Sequence, residues 1–158
     1  MIRRATQDDV PLLVQWMERL VVHVQISSKD PYVVNVEDGH EREFGTWFAE
    51  IIQSDSVAVY VAEENRGNAV GFIVGTITAP FLKASSIKRI GQIDLCWVES
   101  AYREKGIARQ LCSQVESWFK DRGIKYIDLQ YLVGNTEAEK SWINLGYKPY
   151  RISARKEI

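Results

Sequence analysis

Between Lys88 and Val133 the sequence reads strand, helix, strand, and that order is the tightest constraint on the fold. Strands separated by a full helix cannot close as a hairpin. They pair in parallel, with the helix crossing one face of the sheet in a right-handed sense. The first strand is the run from Lys88 to Val98. The helix spans Gly106 to Arg122, with Ile107, Leu111, Val115, Trp118 and Phe119 recurring on one stripe. Gly123 supplies its stop, and Ile124 to Val133 forms the second strand.

The rest of the chain fits around this unit. Ile2 to Ala5 reads as a short first strand. Asp8 or Asp9 can cap a helix with Pro11 in its first turn, and Leu13, Trp16, Met17, Leu20 and Val21 then follow helical spacing. Ile26 to Gly39 has no clear period and reads as a long loop. A second helix carries Phe44, Trp47, Phe48, Ile51 and Ile52 on one stripe. Val57 to Ala62 and Val70 to Ile77 are β-rich, joined by a turn containing Asn65, Arg66 and Gly67. After the parallel unit, Thr136 and Glu139 suggest a capping box for a helix ending at Gly146. Tyr147 to Lys156 reads as a last strand. No repeat or linker interrupts the chain, so residues 1–158 are expected to form one mixed α/β domain.

Charge and composition exclude several classes. Lys and Arg number 20 against 21 Asp and Glu, which is unlike a basic nucleic-acid-binding domain. The longest apolar stretches fall far short of the ~20 residues that span a bilayer. Arg3 and Arg4 precede no apolar signal core. Cys96 and Cys112 read as core thiols of a reduced cytoplasm, and they and the two histidines, His23 and His40, show no metal-ligand spacing. The expectation is a cytoplasmic protein without metal, membrane or nucleic-acid partner.

The chemistry is concentrated where the first parallel strand meets the helix. A helix N-terminus leaves amides unpaired and carries partial positive charge. Gly106 lets the backbone approach an anion, Ala108 keeps the next turn small, and Arg103 and Lys105 add cationic reach. This pattern suits a diphosphate. It equally suits a plain connection with solvated charges. Neither G-x-G-x-x-G nor G-x-x-x-x-G-K-[ST] is present, which argues against a Rossmann site and a nucleoside-triphosphate loop.

Arg103-x-x-Gly106-x-Ala108 resembles the R/Q-x-x-G-x-G/A signature of the GNAT acetyltransferases. Ile93-Asp-Leu-Cys-Trp-Val98 precedes it, and Asn135-x-x-Ala138 and Gly146-Tyr147 follow in the family's order. Ile2-Arg-x-Ala-Thr-x-x-Asp9 is similar to the family's N-terminus. The resemblance covers nearly the whole chain. It implies a central mixed sheet of six to seven strands, a splayed parallel pair and about four flanking helices. Acetyl-CoA is then expected between the splayed strands, as co-substrate for an amine acceptor. A homodimer is a further expectation.

The resemblance also assigns roles. The pantetheine arm is expected on the backbone of Cys96 and Val98, with an N–H near Trp97 or Val98 facing the oxyanion. The diphosphate is expected on the amides of Arg103, Glu104, Lys105, Gly106, Ile107, Ala108 and Arg109. Asn135 is expected to touch the arm from the other side, or to serve only as a turn residue. Asp94, an acid within an apolar strand, is the expected base and acceptor contact; alternatively it bonds a neighbouring hydroxyl. Strand alternation puts Gln92, Asp94 and Cys96 on one face and Ile93, Leu95 and Trp97 on the other. Many family members carry a Tyr seven residues after the Asn as the acid, and Trp142 stands there. Trp142 is expected to contact CoA or pack in the core, leaving Tyr131 or water as the acid. Tyr32 and Asp38, in the long loop, are expected at the acceptor pocket. The missing Tyr keeps a second reading open, a non-catalytic acyl-CoA-binding or sensing module.

Overall fold

In a computed structural model, residues 1–28, 30–37, 39–64 and 67–158 are described. Asp38, assigned above to the acceptor pocket, and Asn65 and Arg66 of the expected hairpin turn lie outside these residues. The elements are β1 (Ile2–Arg4), α1 (Val10–Ser28), α2 (Pro31–Val34), α3 (His40–Ile52), β2 (Val57–Glu64), β3 (Asn68–Thr78), β4 (Ile90–Val98), α4 (Ile107–Asp121), β5 (Ile127–Leu129) and α5 (Thr136–Asn144). Strand order follows the sequence, β1 to β5. Every pair is antiparallel except β4 with β5, which is parallel as the strand–helix–strand order requires.

The sheet is buried on both faces. On β2, Ala58, Tyr60 and Ala62 pack toward α4, while Val57, Val59 and Val61 pack toward α1 and α3. Leu111, Val115 and Phe119 form the buried stripe of α4. Each such side chain contributes roughly 1.5–3 kcal/mol when taken out of water. A Cβ on Gly75 would collide with Val115 Cγ2 and lie 3.0 Å from Phe119 Cζ, so the missing side chain is what lets α4 sit this close to β3. On the opposite face the rings of Trp16 and Phe72 stack at 5.7 Å, and Phe48 meets Phe72 edge-on at 5.9 Å.

Four expectations change. The strand expected from Ile124 to Val133 is regular only over Ile127–Leu129. Tyr147 to Lys156 forms no strand, so the sheet has five strands among the described residues. The expected loop takes in the last three residues of α1 and the single turn α2. Finally, Val74 pairs with Leu95 but Gly75 pairs with Ile93, leaving Asp94 as an extra residue in a β-bulge. The bulge breaks the expected alternation. Ile93 packs toward α4, whereas Leu95 and Trp97 pack toward α1 and α3, and Cys96 and Val98 return to the α4 side. No helix among the described residues is long and apolar enough to cross a membrane.

Candidate functional site

The site begins where two strands part. β4 and β5 pair only through Gly91, Gln92 and Ile93. Beyond Ile93 the edge of β4 has no strand partner among the described residues. Glu99 N–H donates to Val70 O at 2.9 Å, on the β3 side. Antiparallel alternation therefore turns the peptide groups of Val98 and Cys96 to the open edge and that of Trp97 to β3. Of the two backbone donors considered for the oxyanion, Val98 faces the gap.

The turn into α4 borders this gap. Glu104 and Gly106 both adopt left-handed backbone conformations, with φ of 61° and 80°. Such turns present successive amides to one point, a concavity suited to anions. Among the described residues the amides from Glu104 to Arg109 have no acceptor in the chain, and the first paired one is that of Gln110, on Gly106 O at 3.1 Å. The Arg103 amide is the exception to the expected set, because it donates to Ser100 O at 3.3 Å. No acidic residue lies in the first turn of α4 to oppose an anion there. The side chains behave less uniformly. Lys105 Nζ lies 4.9 Å over the Tyr102 ring, and Arg109 Nη2 donates to Asn144 O at 3.3 Å.

Arg103 turns away from the amides and into the gap. Its Nε donates to Val98 O at 3.1 Å, its Nη1 donates to Glu137 Oε1 at 2.8 Å, and its guanidinium lies 4.9 Å over the Trp97 ring. Glu137 also approaches His23 Nε2 at 3.5 Å. Sequence reasoning missed Glu137 and His23. An acid in the first turn of a helix after a capping Asn is a legible signal, but its partners come from α1 and the β4–α4 turn.

The bulge presents Asp94 as a half-buried carboxylate. Thr76 Oγ1 donates to it at 2.5 Å and Gln92 Nε2 at 2.9 Å. Burial pushes its pKa up, and the two hydrogen bonds partly oppose that rise. The alternative of a bonded hydroxyl is thus realised, without consuming all the acceptor capacity of the carboxylate. Gln92 is in register with Asp128 on β5, whose Oδ2 accepts from Tyr150 Oη at 2.5 Å.

Asn135 is buried at the entrance to α5, where its Oδ1 accepts from Ala138 N at 3.1 Å. It is the helix cap, displacing the expected Thr136 by one residue. Trp142 packs against the α4-side core and meets Tyr147 edge-on at 5.6 Å. Tyr147 donates to Glu116 Oε1 at 2.8 Å, and burial pushes its pKa up. Cys96 and Cys112 belong to the same core and meet there as free thiols. Tyr131 lies after β5, half-buried. Tyr32, on α2, is 76% exposed and stacks under Arg155. Away from these elements, Glu18, His40 and Glu41 bring ligand atoms within 4.8 Å of one another, a group that could hold a metal. It is invisible in the sequence because α1 and α3 meet only in the fold.

The chain matches the family model described as acetyltransferase (GNAT) family over residues 22–147. It is 25% identical over 99 residues to aminoglycoside N(6')-acetyltransferase type 1 of Salmonella typhimurium, covering 63% of this chain and 68% of that protein. The crystallised tetramutant of the BH1408 protein from Bacillus halodurans superposes with a TM-score of 0.86 at 18% identity, covering 100% of this chain and 99% of that one. Aminoglycoside N-acetyltransferase AAC(6')-Iy in complex with CoA superposes with a TM-score of 0.78 at 19% identity, covering 99% and 93%.

Proposed function

We propose that this chain, which belongs to the GNAT family of acetyltransferases, moves the acetyl group of acetyl-CoA to an amine by direct attack on the thioester. One observation carries the reading. β4 leaves β5 after Ile93 beside a run of amides, Glu104 to Arg109, that have no acceptor among the described residues. An open strand edge suits a pantetheine arm, which carries amides of its own. A cluster of amides at a helix N-terminus suits the diphosphate. On this reading Cys96 pairs with the arm, the Val98 carbonyl joins it once Arg103 releases that oxygen, and Gly106, Ile107 and Ala108 lie nearest the diphosphate. The cap Asn135 and the packed Trp142 line the other wall. Relatives named as aminoglycoside N-acetyltransferases favour a small aminated acceptor.

Acetyl transfer needs a neutral amine, a fixed line of attack and a donor for the oxyanion. The N–H of Val98 serves as that donor. An acceptor amine with pKa near ~10.4 arrives mostly protonated. Asp94 takes its proton, directly or through water, and the burial that raises the pKa of Asp94 makes it a better base than an exposed Asp. Thr76 and Gln92 hold the carboxylate in position. Tyr131 or water returns a proton to the leaving thiolate; a thiol of pKa ~8.5 leaves tolerably without full protonation. The two free cysteines favour a cytoplasmic location, and a homodimer is tested by sedimentation.

A thiol-release assay over a panel of amines tests the reading. The panel includes an aminoglycoside, an aliphatic diamine and a peptide N-terminus. Release above the no-amine background supports the enzyme. The packing of Trp142 where an acid is usual favours a second reading, a non-catalytic acyl-CoA-binding module. CoA binding without turnover on the whole panel supports that module instead.

A further inference from the structure

The last twelve residues form neither helix nor strand, yet they are tied to β5 and to the start of α2. Lys148, Arg151, Arg155 and Lys156 make this tail basic, with Glu157 the one acid among its residues. Tyr150 reaches Asp128, whose register partner Gln92 holds Asp94. Farther along, Arg155 Nη1 bonds Asp30 Oδ2 at 3.0 Å, and its guanidinium lies 3.7 Å above the Tyr32 ring centroid. The tail thus runs from the carboxylates beside the bulge to the capping carboxylate and the first-turn ring of α2.

Asp30 and Tyr32 are built as one unit. Asp30 Oδ1 accepts from the Tyr32 backbone N–H at 2.9 Å, which fixes the carboxylate beside the ring. Oδ2 remains for a cation. A carboxylate and an aromatic face at these distances recognise an alkylammonium or a guanidinium. The Arg155 side chain is 43% exposed and the Asp30 side chain 19%, so the occupant can exchange with solvent while the carboxylate stays partly sheltered.

We propose that Asp30 and Tyr32 form a cation subsite for the acceptor, and that Arg155 fills it in the free chain as a displaceable stand-in. The ligand class is an aliphatic amine with a second positive charge removed from the reacting nitrogen. The placement of the subsite in the acceptor pocket rests on the transferase reading; the competition between Arg155 and a free cation does not. An internal occupant lowers the apparent affinity by the fraction of chains in which the subsite is filled. A monoamine that reacts without using the subsite is unaffected.

The test uses the full chain with spermidine as the multiply charged probe and propylamine as the single-amine control. Binding is measured by calorimetry with CoA present, and turnover by thiol release. Arg155→Gln should tighten spermidine about 5-fold, the range of an exposed ion pair plus one cation–π contact. Arg155→Lys should stay near wild type. Asp30→Asn, which retains an acceptor for the Tyr32 N–H, should weaken spermidine in the Arg155→Gln background. Propylamine should not respond to any of these changes. Spermidine binding that is absent from Arg155→Gln, or equal in all variants, overturns the subsite. Acetylation of spermidine with no dependence on Arg155 sinks the subsite and leaves the transferase. Spermidine binding that follows the predicted order without any turnover keeps the subsite and sinks the transferase.

Discussion

Replacing Gly106 with alanine isolates the backbone contribution of the turn at α4. Gly106 has φ of 80°, and a Cβ built there meets nothing within 4 Å. The substitution therefore carries no steric clash, only the cost of holding an L-residue in the left-handed region, roughly 1–2 kcal/mol. That cost can surface in two places. If the turn keeps its shape, stability falls; at roughly 2–4 °C per kcal/mol for a domain of this size, the melting temperature drops by about 2–8 °C. If the turn relaxes, stability is retained, and acetyl-CoA must restore the amide cluster on binding. Affinity then falls by about 5- to 30-fold, since 1.4 kcal/mol is a factor of ten. The two effects should sum to the same free energy. Gly106→Asn, which tolerates this conformation better, should lose less in both. Calorimetry with CoA and with pantetheine, which lacks the diphosphate, makes the test specific. Where the turn relaxes, CoA should weaken and pantetheine should not. Equal weakening of both ligands, or no change in either affinity or stability, would refute the assignment of the diphosphate to these amides.

Asp94→Asn should lower kcat about 100-fold or more while leaving CoA affinity within about twofold, as expected for loss of a general base. Because burial raises the pKa of Asp94, the acid limb of the wild-type rate profile should lie above the ordinary aspartate value of 3.8 and vanish in the variant; an unchanged rate across pH removes Asp94 from the mechanism. Gly75→Ala should cost about 1–3 kcal/mol in urea denaturation, because the new methyl overpacks Val115 and Phe119. Asp9 is held below the ordinary carboxylate range by bidentate bonding to Arg3, against an opposing effect of burial. Its stabilisation is complete above the unfolded value near 3.8 and is lost as pH falls through the lowered folded value. Arg3→Met should therefore cost about 1–2 kcal/mol at neutral pH, after discounting for solvent at Arg3, and flatten acid unfolding between those values.

Much of the fold was legible because its signals are periodic. The stripes of α1, α3 and α4 and the β-rich runs of β2 and β3 depend on local repetition, and they formed. The errors fall where repetition misleads. Gln92 to Val98 alternates without interruption in the sequence, so nothing announces that Asp94 is a bulge; it shows only in the register with β3, where Val74 meets Leu95 and Gly75 meets Ile93. Ile124 to Val133 has strand composition, but the parting of β4 and β5 leaves only three residues paired. Tyr147 to Lys156 has strand composition too, yet its side chains reach Asp128, Phe81, Asp30 and Tyr32 instead of forming a ladder. The glycine turn could be picked out because a left-handed cap favours that residue. The partnerships of Arg103 with Glu137 and of Trp16 and Arg19 with Glu99 join distant segments. No local pattern encodes them.

An unpaired strand edge in the middle of a sheet is a hazard whenever its ligand is absent. Such an edge is a template on which a foreign strand can add, the usual first step of sheet-mediated aggregation. Arg103 blunts it by taking the Val98 carbonyl and crossing to Glu137, which lays a charged side chain across the opening. The residue that opens the family's signature thus occupies the first carbonyl that an added strand would need.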